Sequence, residues 1–256
     1  MMDNCYIHRN ARIGIGVEIG PFSYIADDVE IGDGTCIGPN VTILEHVKIG
    51  KNCRIFPGAV IGAIPQDLKF HGEVTYVEIG DNTTIRECAT VNRGTEASGK
   101  FLTKVGSNCL IMSYVHIAHD CLVSDNCIIS SYAGFAGESV VEEHVVIGGG
   151  SLFHQFVHIG AHAMVGGASA INKDVPPYIL VGRPPVTFGG VNRVGLQRRG
   201  FSTETIDEIH NIYMTIYKSG LNVSDACSKV RDSFPDSEYK AHILSFIENS
   251  KRGIVK

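Results

Sequence analysis

Isoleucine recurs at every sixth position from Ile7 to Ile61, ten times without a break. This spacing fits neither the 3.6-residue repeat of an α-helix nor the two-residue alternation of an ordinary sheet. A fixed hexapeptide period is typical of a solenoid, in which three hexads form one triangular turn of a parallel β-helix. The pattern therefore predicts a β-helix with the isoleucines inside.

Two interruptions break the six-residue repeat. It pauses over residues 62–76 and resumes in phase at Ile79, and after a second pause over residues 92–103 it runs from Val105 to Ile171. The position two residues before each large one is mostly small or β-branched, which gives each hexad two inward side chains. Because one turn takes three hexads, a residue is expected about 4.8 Å from the residue 18 positions earlier, the ordinary spacing of neighbouring strands.

The repeat ends near residue 185, and helical spacing follows. We therefore predict a mostly β fold with two parts, a β-helix over residues 1–185 and a C-terminal α-helical domain over residues 186–256. Isoleucines at helical spacing predict a helix over 203–218, with Ser202 as N-cap and Gly220 as stop. A second short helix is expected after Ser224 and a third after Pro235.

The composition bears on location and on the cysteines. No segment resembles a signal peptide or an 18-residue apolar span, so we expect a cytoplasmic protein without stable membrane insertion. Its eight cysteines are then expected to be reduced. Five of them fall on the small inward position, which favours packing in the core over metal or redox roles.

The net charge of −5 is unevenly distributed. Between Val175 and Thr203 there is no acidic residue, yet this stretch contains Arg183, Arg193, Arg198 and Arg199. Because arginine binds phosphate in bidentate geometry, the stretch predicts an anion site, with a solvated basic surface as the alternative. No nucleic-acid partner is predicted, since aromatic interleaving and a nucleic-acid motif are both missing from this stretch.

Two histidines in the second half of the repeat are candidates for chemistry. His116 and His119 flank an inward isoleucine, so both are expected to point outward. The 18-residue turn places Gly137 above His119 and Gln155 above Gly137. The backbone N–H of a glycine at this place can stabilise an oxyanion, with His119 as general base and Asp120 as a candidate to orient its ring.

Two further features of the surface suggest substrate contacts. In the first interruption, Asp67 and Lys69 can hold a sugar hydroxyl and a phosphate respectively, as functional residues gather on loops. A second column consists of small residues only: Ser113, Ser131, Gly149 and Gly167. It predicts either a trough for an extended acyl chain or close packing between subunits, and both readings stay open.

Zinc chemistry is the alternative for the histidines, since some hexapeptide-repeat enzymes hold zinc with three histidines across a trimer interface and hydrate carbon dioxide. The candidates are His116, His119, His154, His158 and His162. Spacing disfavours this reading because His154 falls one column away from His119, so no metal is predicted. A non-catalytic scaffold would need no polar column at all.

Five short segments resemble the UDP-N-acetylglucosamine O-acyltransferases, the first enzymes of lipid A synthesis. The segments are Gln66-Asp67-Leu68-Lys69, His116-Ile117-Ala118-His119-Asp120-Cys121, His154-Gln155-Phe156, Asp174-Val175-Pro176-Pro177-Tyr178 and Arg198-Arg199-Gly200-Phe201. The resemblance implies a homotrimer of left-handed β-helices with active sites between subunits. It also implies transfer of an (R)-3-hydroxyacyl group from acyl carrier protein to the sugar 3-hydroxyl, without a cofactor.

In this family's motif His119 is the general base and the N–H of Gly137 is the oxyanion donor. The resemblance assigns contacts with the sugar nucleotide or acyl chain to Gln66, Asp67, Lys69, His116, Glu138, His154, Gln155, Gly167, Asn192, Arg198 and Arg199. The last three reach the nucleotide from the next subunit, and glycine at 167 implies a long acyl donor.

The chain departs from the family pattern at Glu138, where histidine is common, and at Val194, where an acid is common. The same machinery on a 3-amino sugar acceptor stays open. The related N-acyltransferase is not expected, because the hexads begin at residue 7 and leave no room for its N-terminal domain.

Overall fold

The computed structural model describes residues 4–182 and 184–256, which form a three-sided parallel β-helix followed by helices. Most strands are two residues long and end on the inward residue of a hexad, as the isoleucine repeat predicts. The β-helix is left-handed.

Each face of the prism is one sheet, and the strands are numbered in chain order. The first sheet contains β1 (Tyr6–Ile7), β4 (Tyr24–Ile25), β7 (Thr42–Ile43), β10 (Val60–Ala63), β13 (Thr90–Asn92), β16 (His116–Ile117), β19 (Gly134–Phe135), β22 (Leu152–Phe153) and β25 (Ala170–Ile171). The second contains β2 (Arg12–Ile13), β5 (Glu30–Ile31), β8 (Val47–Ile49), β11 (Tyr76–Ile79), β14 (Leu102–Val105), β17 (Leu122–Val123), β20 (Val140–Val141) and β23 (His158–Ile159). The third contains β3 (Glu18–Ile19), β6 (Cys36–Ile37), β9 (Arg54–Ile55), β12 (Thr84–Ile85), β15 (Leu110–Ile111), β18 (Ile128–Ile129), β21 (Val146–Ile147), β24 (Met164–Val165), β26 (Ile179–Gly182) and β27 (Thr187–Val191).

The strand register confirms the 18-residue turn and shows where it fails. Tyr6 pairs with Tyr24, an offset of 18 residues. Across the first interruption Val60 pairs with Thr90, an offset of 30, and across the second Thr90 pairs with His116, an offset of 26. Both interruptions follow a strand of the first sheet and precede one of the second. They therefore leave the prism at the same edge, in consecutive turns.

The interior is filled as the two inward positions predict. The large residues Ile25, Ile43 and Ile61 have no exposed surface, and further along the prism Phe135 and Phe153 stack with ring centroids 4.4 Å apart. Four of the cysteines at the small position are buried in this core: Cys53, Cys109, Cys121 and Cys127. Burial of a branched side chain is worth about 1.5–3 kcal/mol, so the repeat itself stabilises the prism.

The C-terminal helices are α1 (Arg193–Arg198), α2 (Thr203–Lys218), α3 (Val223–Ser233) and α4 (Glu238–Asn249). α2 has the predicted bounds, and the Ser202 side chain accepts from Thr205 N as its N-cap. α3 begins earlier than predicted, because Asn222 rather than Ser224 provides the cap. Within the described ranges, no helix is long and apolar enough to cross a membrane.

The hairpin of β26 and β27 and the short helix α1 were not predicted. β27 continues the third sheet beyond residue 185 in antiparallel orientation, and α1 begins at Arg193. The division of the chain at 185/186 stays a prediction.

Tyrosine and histidine side chains dock the helices on the prism. Tyr213 of α2 is fully buried and donates to Pro177 O at 2.6 Å. His242 of α4 lies 2.8 Å from Tyr178 Oη and 3.1 Å from a carboxylate oxygen of Glu142. This hydrogen bond with Glu142 raises the pKa of His242 in spite of burial, which favours a charged contact between the two parts.

Candidate active site

A cavity of about 770 Å³ lies at the edge between the first and second sheets. The two interruptions, residues 64–75 and 93–101, leave the prism there, and the corner that carries His119 follows in the next turn. The predicted site residues that line this cavity are Gln66, Asp67, Lys69, His116, His119, Gly137 and Gln155. Gln66 and Gln155, 89 positions apart in sequence, are thus brought to one surface by the turn geometry.

His119 and Asp120 form a hydrogen-bonded pair, with 2.8 Å between His119 Nδ1 and Asp120 Oδ2. Neighbouring side chains on a strand normally face opposite ways. Here Asp120 sits at a corner with a φ of 59°, so the chain turns and returns the carboxylate to the ring. His119 points out of the prism as predicted but is only 8% exposed, because the interruptions cover it, and Asp120 is fully buried.

Asp120 is held by the second interruption, which the sequence had shown only as a pause. Thr95 and Ser98 donate to its carboxylate, and its own N–H donates to Thr103 Oγ1 at 2.7 Å. Sequence reasoning missed all three residues. The one available signal was a group of hydroxyl residues inside the interruption, without any spacing that points to residue 120.

The pKa shifts of His119 and Asp120 favour His119 as a general base. The hydrogen bond that His119 donates to Asp120, with the negative charges of Asp67 and Glu138, raises the pKa of His119 above its ordinary 6.5 in spite of burial. Burial acts to raise the pKa of Asp120, but hydrogen bonds from His119, Ser98 and Thr95 outweigh it and lower that pKa. Asp120 therefore stays ionised and holds the ring by Nδ1–H, which leaves Nε2 to accept a proton.

Gly137 lies directly against the His119 ring, as the 18-residue column predicts. A Cβ on Gly137 would be 2.4 Å from both Cε1 and Nε2 of His119, so only glycine fits. At the same hexad position, the N–H groups of Ile15 and Ser107 donate to aspartates one turn on. One turn above Gly137 is Gln155, and no acceptor for the Gly137 N–H lies within residues 4–182 and 184–256. This donor is therefore available beside the base.

The first interruption brings charged and polar groups to the same cavity. Asp67 Oδ2 lies 3.7 Å from His119 Nε2, and Asp67 Oδ1 accepts from the N–H of Lys69 at 3.0 Å. The loop is anchored by Asn92, whose Nδ2 donates to Ile64 O at 2.5 Å. Lys69 and the carboxylate of Asp67 thus line the cavity near His119.

His116 forms a neutral part of the cavity wall. Its Nδ1 lies 2.7 Å from Thr90 Oγ1, and burial lowers the pKa of the ring. A neutral imidazole offers a hydrogen bond but no charge at this position.

Three predicted residues on the prism lie outside the cavity. His154 is exposed, and its Nδ1 is 3.2 Å from Gln155 O. Gly167 is exposed at the edge between the third and first sheets, where a Cβ would be 3.2 Å from Gly149 O. This contact confirms the predicted column of small residues and places it at a different edge from His119. Glu138 is half-buried next to Gly137 and does not line the cavity either.

The basic stretch lies near the edge between the second and third sheets. Asn192 caps α1 by accepting from Gly195 N, and it also donates to His162 O at 2.9 Å. Arg199 donates through Nη2 to His144 O at 2.7 Å, while its Nη1 is buried and has no partner within the described residues. Arg198 is exposed. None of these side chains lines the cavity of the same chain.

Of the other two arginines of the stretch, the structure describes only Arg193. Arg193 forms an ion pair with Asp207, 2.9 Å between Nη2 and Oδ1, so an acid outside the stretch neutralises it. Arg183 lies outside the described residues. The zinc alternative would need ligands from more than one subunit, because no group of three or more His, Cys, Asp or Glu side chains able to hold a metal occurs in the described part of the chain.

Comparisons with known proteins place the chain in a family. Residues 174–255 match the family described as UDP-N-acetylglucosamine O-acyltransferase, domain 2, and residues 10–45, 31–63 and 102–137 match the bacterial transferase hexapeptide repeats. Two acyl-[acyl-carrier-protein]–UDP-N-acetylglucosamine O-acyltransferases are among the relatives. The one from Sulfurihydrogenibium sp. (strain YO3AOP1) is 58% identical over 97% of this chain and 91% of its own length. The one from Chlorobaculum tepidum is 60% identical over 94% and 90%.

Solved structures of similar proteins show the same architecture. The UDP-N-acetylglucosamine acyltransferase of Bacteroides fragilis 9343 superposes with a TM-score of 0.98 at 49% identity, over 100% of both chains. That of Francisella novicida has a TM-score of 0.96 at 36% identity, over 100% of this chain and 94% of that one.

A hexapeptide-repeat β-helix with a His–Asp pair beside an unbonded glycine amide defines a transferase of the hexapeptide class. Within this class, the chain is 60% identical to a UDP-N-acetylglucosamine O-acyltransferase over 94% of its length. The chain belongs to the UDP-N-acetylglucosamine O-acyltransferase family.

Proposed function

We propose that the protein transfers an (R)-3-hydroxyacyl group from acyl carrier protein to the 3-hydroxyl of UDP-N-acetylglucosamine, the first step of lipid A biosynthesis, in the cytoplasm. The observation that carries this proposal is the His119–Asp120 pair beside the unbonded N–H of Gly137 in one cavity. The names of the relatives supply the donor and the acceptor.

The geometry supports one sequence of steps. His119 Nε2 takes the proton from the sugar 3-hydroxyl, whose oxygen attacks the carbonyl carbon of the acyl thioester. The carbonyl oxygen becomes an oxyanion and accepts from Gly137 N–H. When this intermediate collapses, the carbon–sulfur bond breaks and the leaving thiolate takes the proton from the His119 imidazolium. Asp120 stabilises that imidazolium throughout.

A homotrimer is part of the proposal. Asn192, Arg198 and Arg199 lie near one edge of the prism and the cavity lies at another, so they reach a substrate there only from a neighbouring subunit. The outer face of the third sheet carries a column of partly exposed apolar side chains that a neighbouring subunit would cover: Leu110, Ile128, Val146 and Met164.

The direct test mixes the purified protein with a long-chain 3-hydroxyacyl carrier protein and UDP-N-acetylglucosamine. We expect an acylated sugar nucleotide by mass spectrometry and release of one carrier-protein thiol for each product. A parallel reaction with the 3-amino sugar nucleotide decides between the two acceptors. Absence of product with both acceptors would contradict the proposed function.

Replacing Gly167 with methionine should shift the preference to shorter acyl donors. Gly167 is exposed at the end of the column of small residues, so a long side chain there projects into the proposed acyl trough. The measurement is kcat/KM over a series of 3-hydroxyacyl carrier proteins of increasing length. An unchanged order of preference would contradict the acyl reading of this column and leave subunit packing as its role.

Replacing Arg199 with alanine should raise KM for the sugar nucleotide and leave kcat nearly unchanged. A charge-assisted hydrogen bond is worth about 1.5–3 kcal/mol, which corresponds to roughly 10- to 100-fold in KM. Within the described residues the Nη1 of Arg199 has no hydrogen-bond partner, which supports a role for its guanidinium in binding a phosphate oxygen.

The matched control is Arg193→Ala, because Asp207 already pairs with Arg193. Its KM should stay at the value of the unmodified protein. Equal values of KM for all three proteins would show that Arg199 does not contact the nucleotide.

A further inference from the structure

The second interruption wraps around the carboxylate of Asp120. Thr95 Oγ1 donates to Oδ2 at 2.7 Å, and the Thr95 N–H lies 2.9 Å from Oδ1 and 3.1 Å from Oδ2. Ser98 Oγ lies 2.6 Å from Oδ1. Together with His119 Nδ1, three separate residues thus donate to one carboxylate.

Two acceptors lie within reach of the Ser98 hydroxyl, and the distances favour the carboxylate of Asp120. Its single hydroxyl proton can go to Asp120 Oδ1 at 2.6 Å or to Thr95 O at 3.0 Å. A hydrogen bond to an ionised carboxylate is shorter and about twice as strong as one to a neutral carbonyl. The shorter distance identifies the carboxylate as its acceptor.

The backbone of this loop is also shaped to reach the carboxylate. A Cβ on Gly94 would be 2.9 Å from Asp120 Oδ1 and 2.2 Å from Leu102 N, so the chain passes here only because residue 94 is glycine. Lys100 closes the loop over the corner, with Nζ 3.4 Å from Asp120 O. The loop is therefore built around Asp120 rather than merely adjacent to it.

We infer that Thr95 and Ser98 are positioning residues for acyl transfer: by holding the Asp120 carboxylate they fix the orientation of the His119 ring and moderate how tightly it keeps its proton. This inference rests on the proposed function of His119 as general base. Neither hydroxyl residue lines the cavity, so both act through Asp120.

The direction in which loss of the Thr95 hydroxyl should shift the titration of His119 follows from the oxygen that both residues share. Asp120 Oδ2 accepts from both Thr95 Oγ1 and His119 Nδ1. When a donor to a carboxylate is removed, the carboxylate becomes more basic and attracts the remaining donor more strongly. Without the Thr95 hydroxyl, His119 should hold its proton to a higher pH and become a free base later.

Other charged or titratable groups face His119 and Asp120, and the substitutions of Thr95 and Ser98 leave them in place. Asp67 of the first interruption lies 3.7 Å from His119 Nε2, and Glu138 adds negative charge from the next turn. Lys100 lies over the corner, and His116 and Lys69 line the same cavity. Their contributions are common to all the proteins compared, so a difference in the pH profile reports on the hydroxyl that is changed.

The experiment measures kcat/KM against pH for the unmodified protein, Thr95→Val and Ser98→Ala. We expect kcat to fall roughly 10-fold through loss of alignment, and the acidic limb to move up by roughly half a pH unit. Thr95→Ser keeps the hydroxyl and should restore both values. Ser228→Ala, at an exposed position of α3, is the control for an ordinary loss of a hydroxyl.

The outcomes separate this inference from the proposed function. If the unmodified protein forms no product, the proposed function fails. If it is active, the acidic limb of its plot of kcat/KM against pH is compared with those of Thr95→Val and Ser98→Ala. The positioning role is overturned if both variants keep that limb or move it to lower pH, even where kcat falls. Ser98 is only half-buried, so Ser98→Ala is expected to fold and keeps the test decisive should Thr95→Val unfold, as thermal melting would show.

Discussion

Replacement of His119 by alanine is expected to abolish acyl transfer while the proposed trimer stays intact. A general base contributes about 10²–10⁴-fold to the rate, and among the cavity residues only His119 combines a raised pKa with an oriented ring. The ring packs at a corner outside the hydrophobic prism, so its loss should not open the core. The measurement is kcat with saturating substrates, together with the oligomeric mass in solution.

The control is His210→Ala, a histidine on α2 that does not line the cavity, which should keep full activity. Turnover of the His119→Ala protein at the rate of this control would refute the assignment of the base. The pH dependence gives a second check. A base must be unprotonated, and Asp120 raises the pKa of His119, so kcat/KM should fall as the pH decreases through a value above 6.5.

The inward ladder made the fold and the catalytic column predictable. Ile117 and Phe135 fix which residues of the neighbouring corners face outward, because a register slip would expose the buried row. His116 pairs with Gly134, and three residues further on in each turn His119 lies next to Gly137, because neither turn has an insertion there. Where the repeat is unbroken, counting residues is sufficient to locate neighbours.

The same counting fails at the interruptions. Thr95 and Ser98 reach Asp120 across 25 and 22 residues, and neither separation is a multiple of six. The loop conformation depends on hydrogen bonds to a buried carboxylate, and no periodic pattern encodes it. The position of Arg199 was equally hidden, because it depends on how the unpredicted helix α1 and its hairpin fold back on the prism.

The burial of His119 illustrates the same limit. Its hexad position predicted an outward ring, and the ring does point away from the core. Sequence gave no measure of how closely the two interruptions cover it. The first interruption places Asp67 beside the ring, and the second holds the carboxylate of Asp120 that the ring contacts. Together they turn an ordinary surface histidine into a base with a raised pKa.

Replacement of Gly137 by alanine keeps the backbone N–H but is expected to lower kcat by about 10²–10³-fold, because the added methyl group displaces the catalytic base. The new Cβ would be 2.4 Å from Nε2 and Cε1 of His119, so the ring must move away from the reacting hydroxyl. The N–H itself would also be partly screened by the methyl group. KM for the sugar nucleotide should change little, because neither effect touches the groups proposed to bind it.

The backbone makes this test clean, since Gly137 is not among the glycines with positive φ and alanine adopts its conformation without strain. Thermal melting should therefore show a folded protein. Gly166→Ala is the matched control: its Cβ would meet nothing closer than 3.4 Å, and it lies outside the cavity. If Gly137→Ala kept the kcat of this control, the close contact between residue 137 and the His119 ring would not matter for catalysis, and the column would be a packing feature of the prism.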